Sequence, residues 1–153
     1  MILGGIITYI IGIGLFFSNM LMYMKRKDVE AVKKREEEAG RFNLASFQSL
    51  SQEEKWIYSK HGYRIHAVFV EPHKNSKKWM IIAHGITENK WNSVRYVNLF
   101  AKKGFNTVIY DHRRHGDSEG KTSSYGYYEK DDLAAIVDEL KAQKGHDILL
   151  GIH

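Results

Sequence analysis

No charged side chain occurs from Met1 to Met24, and the first charges, Lys25, Arg26 and Lys27, come directly after. This run most limits what the chain can fold into, because it is long enough for a tilted helix to cross the hydrocarbon layer of a bilayer. A secretory leader would show a basic start, a shorter apolar run and a small-x-small cleavage site, and none is evident. The expectation is an uncleaved, single-pass membrane anchor over residues 1–24, in contact with lipid. Basic residues crowd its C-terminal flank, whereas its N-terminal flank has only the amino group. The positive-inside tendency then places the rest of the chain in the cytoplasm.

Residues 25–50 read as a charged juxtamembrane helix and a connector. Lys25 to Arg41 holds seven basic and five acidic groups, out of a net charge of +5 for the 153 residues. Both signs are interspersed from Phe42 to His153, so no dense basic face for nucleic acid is present. The cluster suits anionic headgroups, or equally a solvated helix. Arg26 to Ala39 is rich in helix formers, with Gly40 placed to cap it. Its apolar stripe is thin, which suggests a stalk or surface helix, and Phe42 to Leu50 reads as a connector lying against the domain. The chain has no cysteine, which excludes disulfides and thiolate chemistry.

Residues 51–153 carry the alternation of a globular α/β domain. Lys55–Ser59 and Tyr63–Val70 read as two strands around a Lys60-His61-Gly62 turn. Trp79–Ala83 (WMIIA) is a compact apolar run, as expected of a strand covered on both faces. Asn92–Lys103 reads as a helix stopped by Gly104, Asn106–Tyr110 as a strand, and Glu129–Gln143 as a helix closed by Gly145. Ile148–Ile152 starts a further strand. Strand, helix, strand, helix, strand is the rhythm of a mainly parallel sheet with flanking helices, and the two opening strands would form an antiparallel flank. A segment as apolar as DILLGI is expected to be a central strand, and the sequence stops inside it.

Gly116-Asp117-Ser118-Glu119-Gly120 matches the G-x-S-x-G pattern of a serine nucleophile. That pattern works only on a sharp turn directly between a buried strand and a helix, where the hydroxyl meets backbone donors and the helix dipole. Ser118 has neither flank. His112-Arg113-Arg114-His115 separates it from the preceding strand, and KTSSYGYY comes next, before any helical periodicity. It is therefore expected not to be a nucleophile.

The surrounding residues are more informative. Asp111-His112-Arg113-Arg114-His115-Gly116-Asp117-Ser118 resembles the D-x-R-x-x-G-x-S loop after the fourth strand of α/β-hydrolase-fold proteins, and His84-Gly85 resembles their His-Gly motif after the third. The match is nearest to the prolyl-oligopeptidase-like and serine-aminopeptidase-like branch, over about Glu54 to His153. The resemblance implies an incomplete α/β-hydrolase fold after one transmembrane helix. It implies an oxyanion donor at the Ile86 backbone N–H, within a motif containing His84 and Gly85. Losing such a donor typically costs roughly 2.7–4 kcal/mol. It assigns Asp111, Arg113, Gly116 and Ser118 to structural work in their loop. It also places the nucleophile beyond His153, with the acid and base later still, so this chain alone would hold no catalytic residue. The full-length protein would hydrolyse an ester, thioester or amide in a small acyl or peptide substrate, without a cofactor.

Other candidates have plainer readings. The eight histidines show no H-E-x-x-H helix and no tight cluster, and a zinc site wants three or four ligands. No metal is expected, and His84 reads as a packing residue rather than a general base. Trp91, Tyr96, Tyr125, Tyr127 and Tyr128 read as core or pocket rim. The alternative to a hydrolase is a non-catalytic membrane-tethered domain or a truncated, inactive product. In that case an exposed terminal strand invites self-association of the incomplete sheet.

Overall fold

Every residue of VFV (68–70) and of NTVIY (106–110) is buried, and such strands need cover on both faces. The computed structural model describes residues 2–41 and 43–153. Met1 of the expected anchor and Phe42 of the connector lie outside the described residues. In chain order the elements are α1 (Ile2–Met22), α2 (Val29–Glu38), α3 (Leu44–Gln48), β1 (Gln52–Tyr58), β2 (Arg64–Val70), β3 (Lys78–Ile82), α4 (Lys90–Ala101), β4 (Asn106–Tyr110), α5 (Glu129–Lys144) and β5 (Leu149–Ile152).

The two-residue period of the strands sorts their side chains. Ile65, Ala67, Phe69, Trp79, Ile81, Val108 and Tyr110 share one face with Ile136 and Leu140 of α5. Val68, Val70, Ile82 and Ile109 share the other with Val94 and Val97 of α4 and Phe47 of α3. Trp91 and Tyr96 pack against this second cluster, so they serve the core. In α5, Glu129, Asp131 and Asp132 fill the first turn and Lys141 and Lys144 the last, which suits the helix dipole.

The five described strands lie in the order β1-β2-β4-β3-β5. β1 and β2 are antiparallel, as are β2 and β4, while β4–β3 and β3–β5 are parallel. The sheet is mixed, which corrects the expectation of a mainly parallel one. Residues 59–63 make a tight turn, with the Ser59 amide donating to the Tyr63 carbonyl and Gly62 at φ 82°; this forces an antiparallel hairpin. The stretch 71–77 contains no helix to carry the chain back across the sheet, so β3 runs opposite to β2. Only the connections through α4 and α5 return the chain in the same direction. The strand in DILLGI is not central among these five. β5 pairs with β3 alone, and Leu149 and Ile152 are exposed.

α1 is long and apolar enough to cross a membrane, and none of its residues is buried against the domain. The helix after it is not a stalk. Asp28 caps α2 by accepting from the Ala31 amide at 3.1 Å, and Val32 and Glu36 are each 1% exposed, packed toward α4. A thin apolar stripe suffices because a charge is buried beside it with its partners. Glu36 accepts from Arg41 Nε at 2.8 Å, Arg35 Nη2 at 2.8 Å and Asn92 Nδ2 at 3.2 Å. Burial pushes this carboxyl up, but the arginines more than reverse that and bring it from 4.5 to about 2. The stabilisation from Glu36 is therefore fully present above pH 4.5 and is lost as pH falls toward 2. An acid titration of unfolding free energy in detergent micelles should show that loss in the wild type. Glu36→Gln should be less stable at neutral pH and should lack that part of the acid slope.

Candidate active-site loops

Because β3 and β4 are parallel neighbours, the loops that leave them emerge at the same end of the sheet. One buried carboxylate holds both. Asp111, the residue after β4, is 0% exposed. It accepts from the Lys90 amide at 2.7 Å, from Lys90 Nζ at 2.6 Å and from the Asp117 amide at 3.0 Å. Lys90 is the first residue of α4, so Asp111 ties the end of the first loop to the middle of the second. Lys90 Nζ also donates to Asp117. Burial raises the Asp117 carboxyl, but the Lys90 hydrogen bond and charge outweigh it and hold the group below the usual carboxylate range. A buried ion pair is favourable only when its remaining lone pairs are filled, and here backbone amides fill them.

His66, Asp111 and Asp117 bring potential ligand atoms within 4.8 Å of one another. The Lys90 ammonium already donates to both carboxylates, so this cluster has its cation from the chain itself. No other such metal-holding group occurs among the described residues.

The 111–118 segment is built around the same carboxylate. Gly116 has φ 47°, and a Cβ there would collide with the Asp111 carboxyl, so both backbone and space demand glycine. The Ser118 hydroxyl donates to the Asp111 carbonyl at 2.7 Å and accepts from the His66 amide at 2.8 Å. It is buried, and α5 begins only at Glu129. Arg113 stands apart from these three. Its guanidinium lies 4.7 Å from the Tyr63 ring and 4.3 Å from the Tyr128 ring, clamping the loop to the hairpin and to the residue before α5. Asp132 of α5 strengthens that junction by accepting from Ser59 Oγ at 2.6 Å and Tyr63 Oη at 2.9 Å.

The loop after β3 is tied to the loop after β4 by imidazoles. His84 is buried; its Nε2 accepts from the His112 amide at 2.9 Å and its Nδ1 donates to the Gly85 carbonyl at 2.8 Å. Burial, with His112 beside it, pushes His84 well below the ordinary imidazole value. Held neutral, with both nitrogens engaged by backbone, it has no site free to move a proton. His115 repeats the arrangement, with Nε2 accepting from the Thr87 amide at 3.2 Å and Nδ1 donating to the Arg113 carbonyl at 3.0 Å. Gly85 has no positive φ; the left-handed residue of this loop is Thr87 at φ 65°. A β-branched residue there is strained, and His115 holds it.

Between Gly85 and Thr87, Ile86 is 48% exposed, and its amide donates to no acceptor among the described residues. Its side chain borders a cavity of about 240 Å³, shared with His84, His112, His115, Tyr125 and Glu129. A larger hollow between β1 and α5 is lined by Glu53, Lys55, Asp138 and Glu139 and lies away from these loops. Lys90 and the bridging role of His115 are absent from the sequence reading. Neither has a sequence signal, because a lysine at a helix start and a histidine in a loop are ordinarily solvent-facing.

Comparison with known proteins agrees with this architecture. The family described as alpha/beta hydrolase fold matches residues 78–150. The Bacillus subtilis (strain 168) protein YqkD is 44% identical over 151 residues, covering 99% of this chain and 49% of that protein. The esterase Pf2001 of Pyrococcus furiosus is 27% identical with a TM-score of 0.62, covering 72% of this chain and 42% of that one. XC6422 from Xanthomonas campestris, described as a serine hydrolase without lid, is 21% identical with a TM-score of 0.55, over 66% of this chain and 50% of that one, which shows the fold alone. The chain thus has an incomplete α/β-hydrolase-like fold with esterase homologues over part of its length, and it spans about half the length of the curated relative it matches.

The two loop glycines should respond differently to a methyl group. Gly116→Ala meets the Asp111 carboxylate and should lose about 1–3 kcal/mol or more, as overpacking typically does. Gly85→Ala, with nothing within 4 Å of its Cβ, should stay within about 0.5 kcal/mol of wild type. Urea unfolding of both variants in micelles checks the pair.

Proposed function

We propose that this chain is the N-terminal part of a membrane-anchored serine hydrolase that cleaves an ester, thioester or amide. α1 serves as the single-pass anchor, with the globular part in the cytoplasm. The observation that carries the reading is the Ile86 amide, which has no acceptor among the described residues and stands beside a cavity. Its loop is pinned by His84, His115 and the Lys90–Asp111 pair.

In acyl transfer, attack on the carbonyl carbon places negative charge on its oxygen, and donors already fixed in position stabilise that charge without reorganising. Ile86 N–H is such a donor, His84 and Gly85 shape its turn, and Gly85 leaves open space for close substrate approach. Asp111, Gly116 and Ser118 act as scaffold, and Arg113 locks their loop to the hairpin and α5. On this reading the nucleophile, acid and base are not among these 153 residues, and the curated relative, about twice as long, has room for them. By itself the 153-residue chain is inactive.

A second reading, a non-catalytic tethered domain, draws on the Ser118 hydroxyl, whose hydrogen bonds to Asp111 and His66 leave it no route to attack. The edge of β5 that pairs with no described strand would then seat another strand. Labelling with a serine-directed fluorophosphonate separates the two. The product of a reading frame extended past His153 should be labelled at a serine in the added part, and the 153-residue chain should not be labelled. Ser118→Ala should keep the labelling of the longer product while costing about 1–3 kcal/mol of stability, since it strands a buried carbonyl and amide. Labelling at Ser118, or none in the longer product, contradicts the proposal.

A further inference from the structure

The end of α1 is bonded to the two loops that frame the cavity. Tyr125 Oη donates to the Leu21 carbonyl at 3.2 Å and the Ser123 amide to the Met22 carbonyl at 3.0 Å. Arg114 donates to the carbonyls of Met24, at 2.8 Å, and Tyr23, at 3.2 Å, and so fills acceptors left open where the helix stops. The Lys27 amide donates to the Thr87 carbonyl at 2.9 Å, and the Lys27 ammonium pairs with Glu88. Arg26 closes the set on the Arg114 carbonyl. All of these partners lie in the loops after β3 and β4. Ser123 and Tyr125 themselves line the cavity, and Thr87 is the residue after Ile86.

These straps decide how far the cavity stands from a membrane. α1 has 21 residues, about 31 Å at the helical rise, against a hydrocarbon core of about 30 Å. A spanning helix of that length has no turns left over to act as a spacer. Its last turn must lie at the interface, and the cavity is one hydrogen bond from that turn. The same edge is suited to the interface in composition. Tyr125, which borders the cavity with Ile86, is exposed, as is Tyr127 two residues on; aromatics are common at the headgroup level, and Lys25, Arg26, Arg114 and Lys121 supply cations for anionic lipid.

We infer that the cavity receives the acyl ester of a membrane-resident amphiphile, taken from the leaflet that α1 enters, rather than a small ester from bulk water. This rests on the reading of the chain as part of an anchored hydrolase and names the substrate class of that site. Ile86 then places its donor beside an ester group at headgroup depth, while the apolar rim of Ile86 and Tyr125 meets the acyl chain.

The test uses the 153-residue chain in vesicles of phosphatidylcholine and phosphatidylglycerol. The chain has no cysteine, so single cysteines at Ile86, Tyr127 and, at the far end of α4, Lys103 can carry a fluorophore. Bromine on the lipid acyl chains should remove most of the emission at Ile86 and Tyr127 and leave Lys103 unchanged. In the same vesicles a diazirine-bearing monoacylglycerol should crosslink to Ile86, Tyr125 or Gly126. Ile86 quenched no more than Lys103, crosslinks confined to α1, or a chain that does not bind the vesicles would each overturn the inference. These readouts need no hydrolysis. Failure of fluorophosphonate labelling would remove the hydrolase reading and leave them standing, and failure here would leave that labelling intact.

Discussion

The ion pair between Lys90 and Asp111 is the contact on which the functional end of this domain depends. A carboxylate and an ammonium are taken almost wholly out of water there, which is costly unless every remaining hydrogen-bonding position is filled. The chain fills them with its own backbone, from Lys90 and Asp117, and a glycine at 116 makes room for the carboxyl. Fixing Asp111 therefore fixes the start of α4, the turn at Gly116 and, through its carbonyl, Ser118. The His84 and His115 contacts then set the Ile86–Thr87 turn against this base.

Much of the fold is legible in the residues, and the limits have physical causes. Strand and helix order from Lys55 to Ile152 comes from period-two and period-3.6 burial, which local sequence records directly. The mixed sheet is not legible in the same way, because strand direction depends on what a connection can span, and residues 71–77 carry no helix. α2 reads as a surface or stalk helix because a buried glutamate looks polar in sequence; only the approach of Arg35, Arg41 and Asn92 shows that Glu36 is covered. The flanks of Ser118 set it apart in sequence from a serine on a strand-to-helix turn. Its hydrogen bonds to Asp111 and His66 add the reason that the hydroxyl is occupied. Lys90, the residue that joins the loops, carries no signal at all.

The straps from α1 change what the N-terminal run means for the rest of the chain. Read alone, Met1 to Met24 is a tether. It is bonded through Leu21 to Lys27 onto the loops after β3 and β4, so on the proposed reading it orients the domain as well and brings the Ile86 donor to the membrane-facing edge. On the proposed reading, anchor, oxyanion donor and cavity form one functional surface held on a single buried carboxylate.

The most direct test of that dependence is amide hydrogen exchange on the wild type and Asp111→Asn, traced residue by residue. If Asp111 organises both loops, the variant should lose protection together at Lys90, Asp117 and His112 and at the Thr87 turn, while amides in β2 and β4 stay protected. Loss confined to residues 112–118, with Thr87 and Lys90 exchanging as in the wild type, would show that the two loops are held independently and would contradict that role for Asp111.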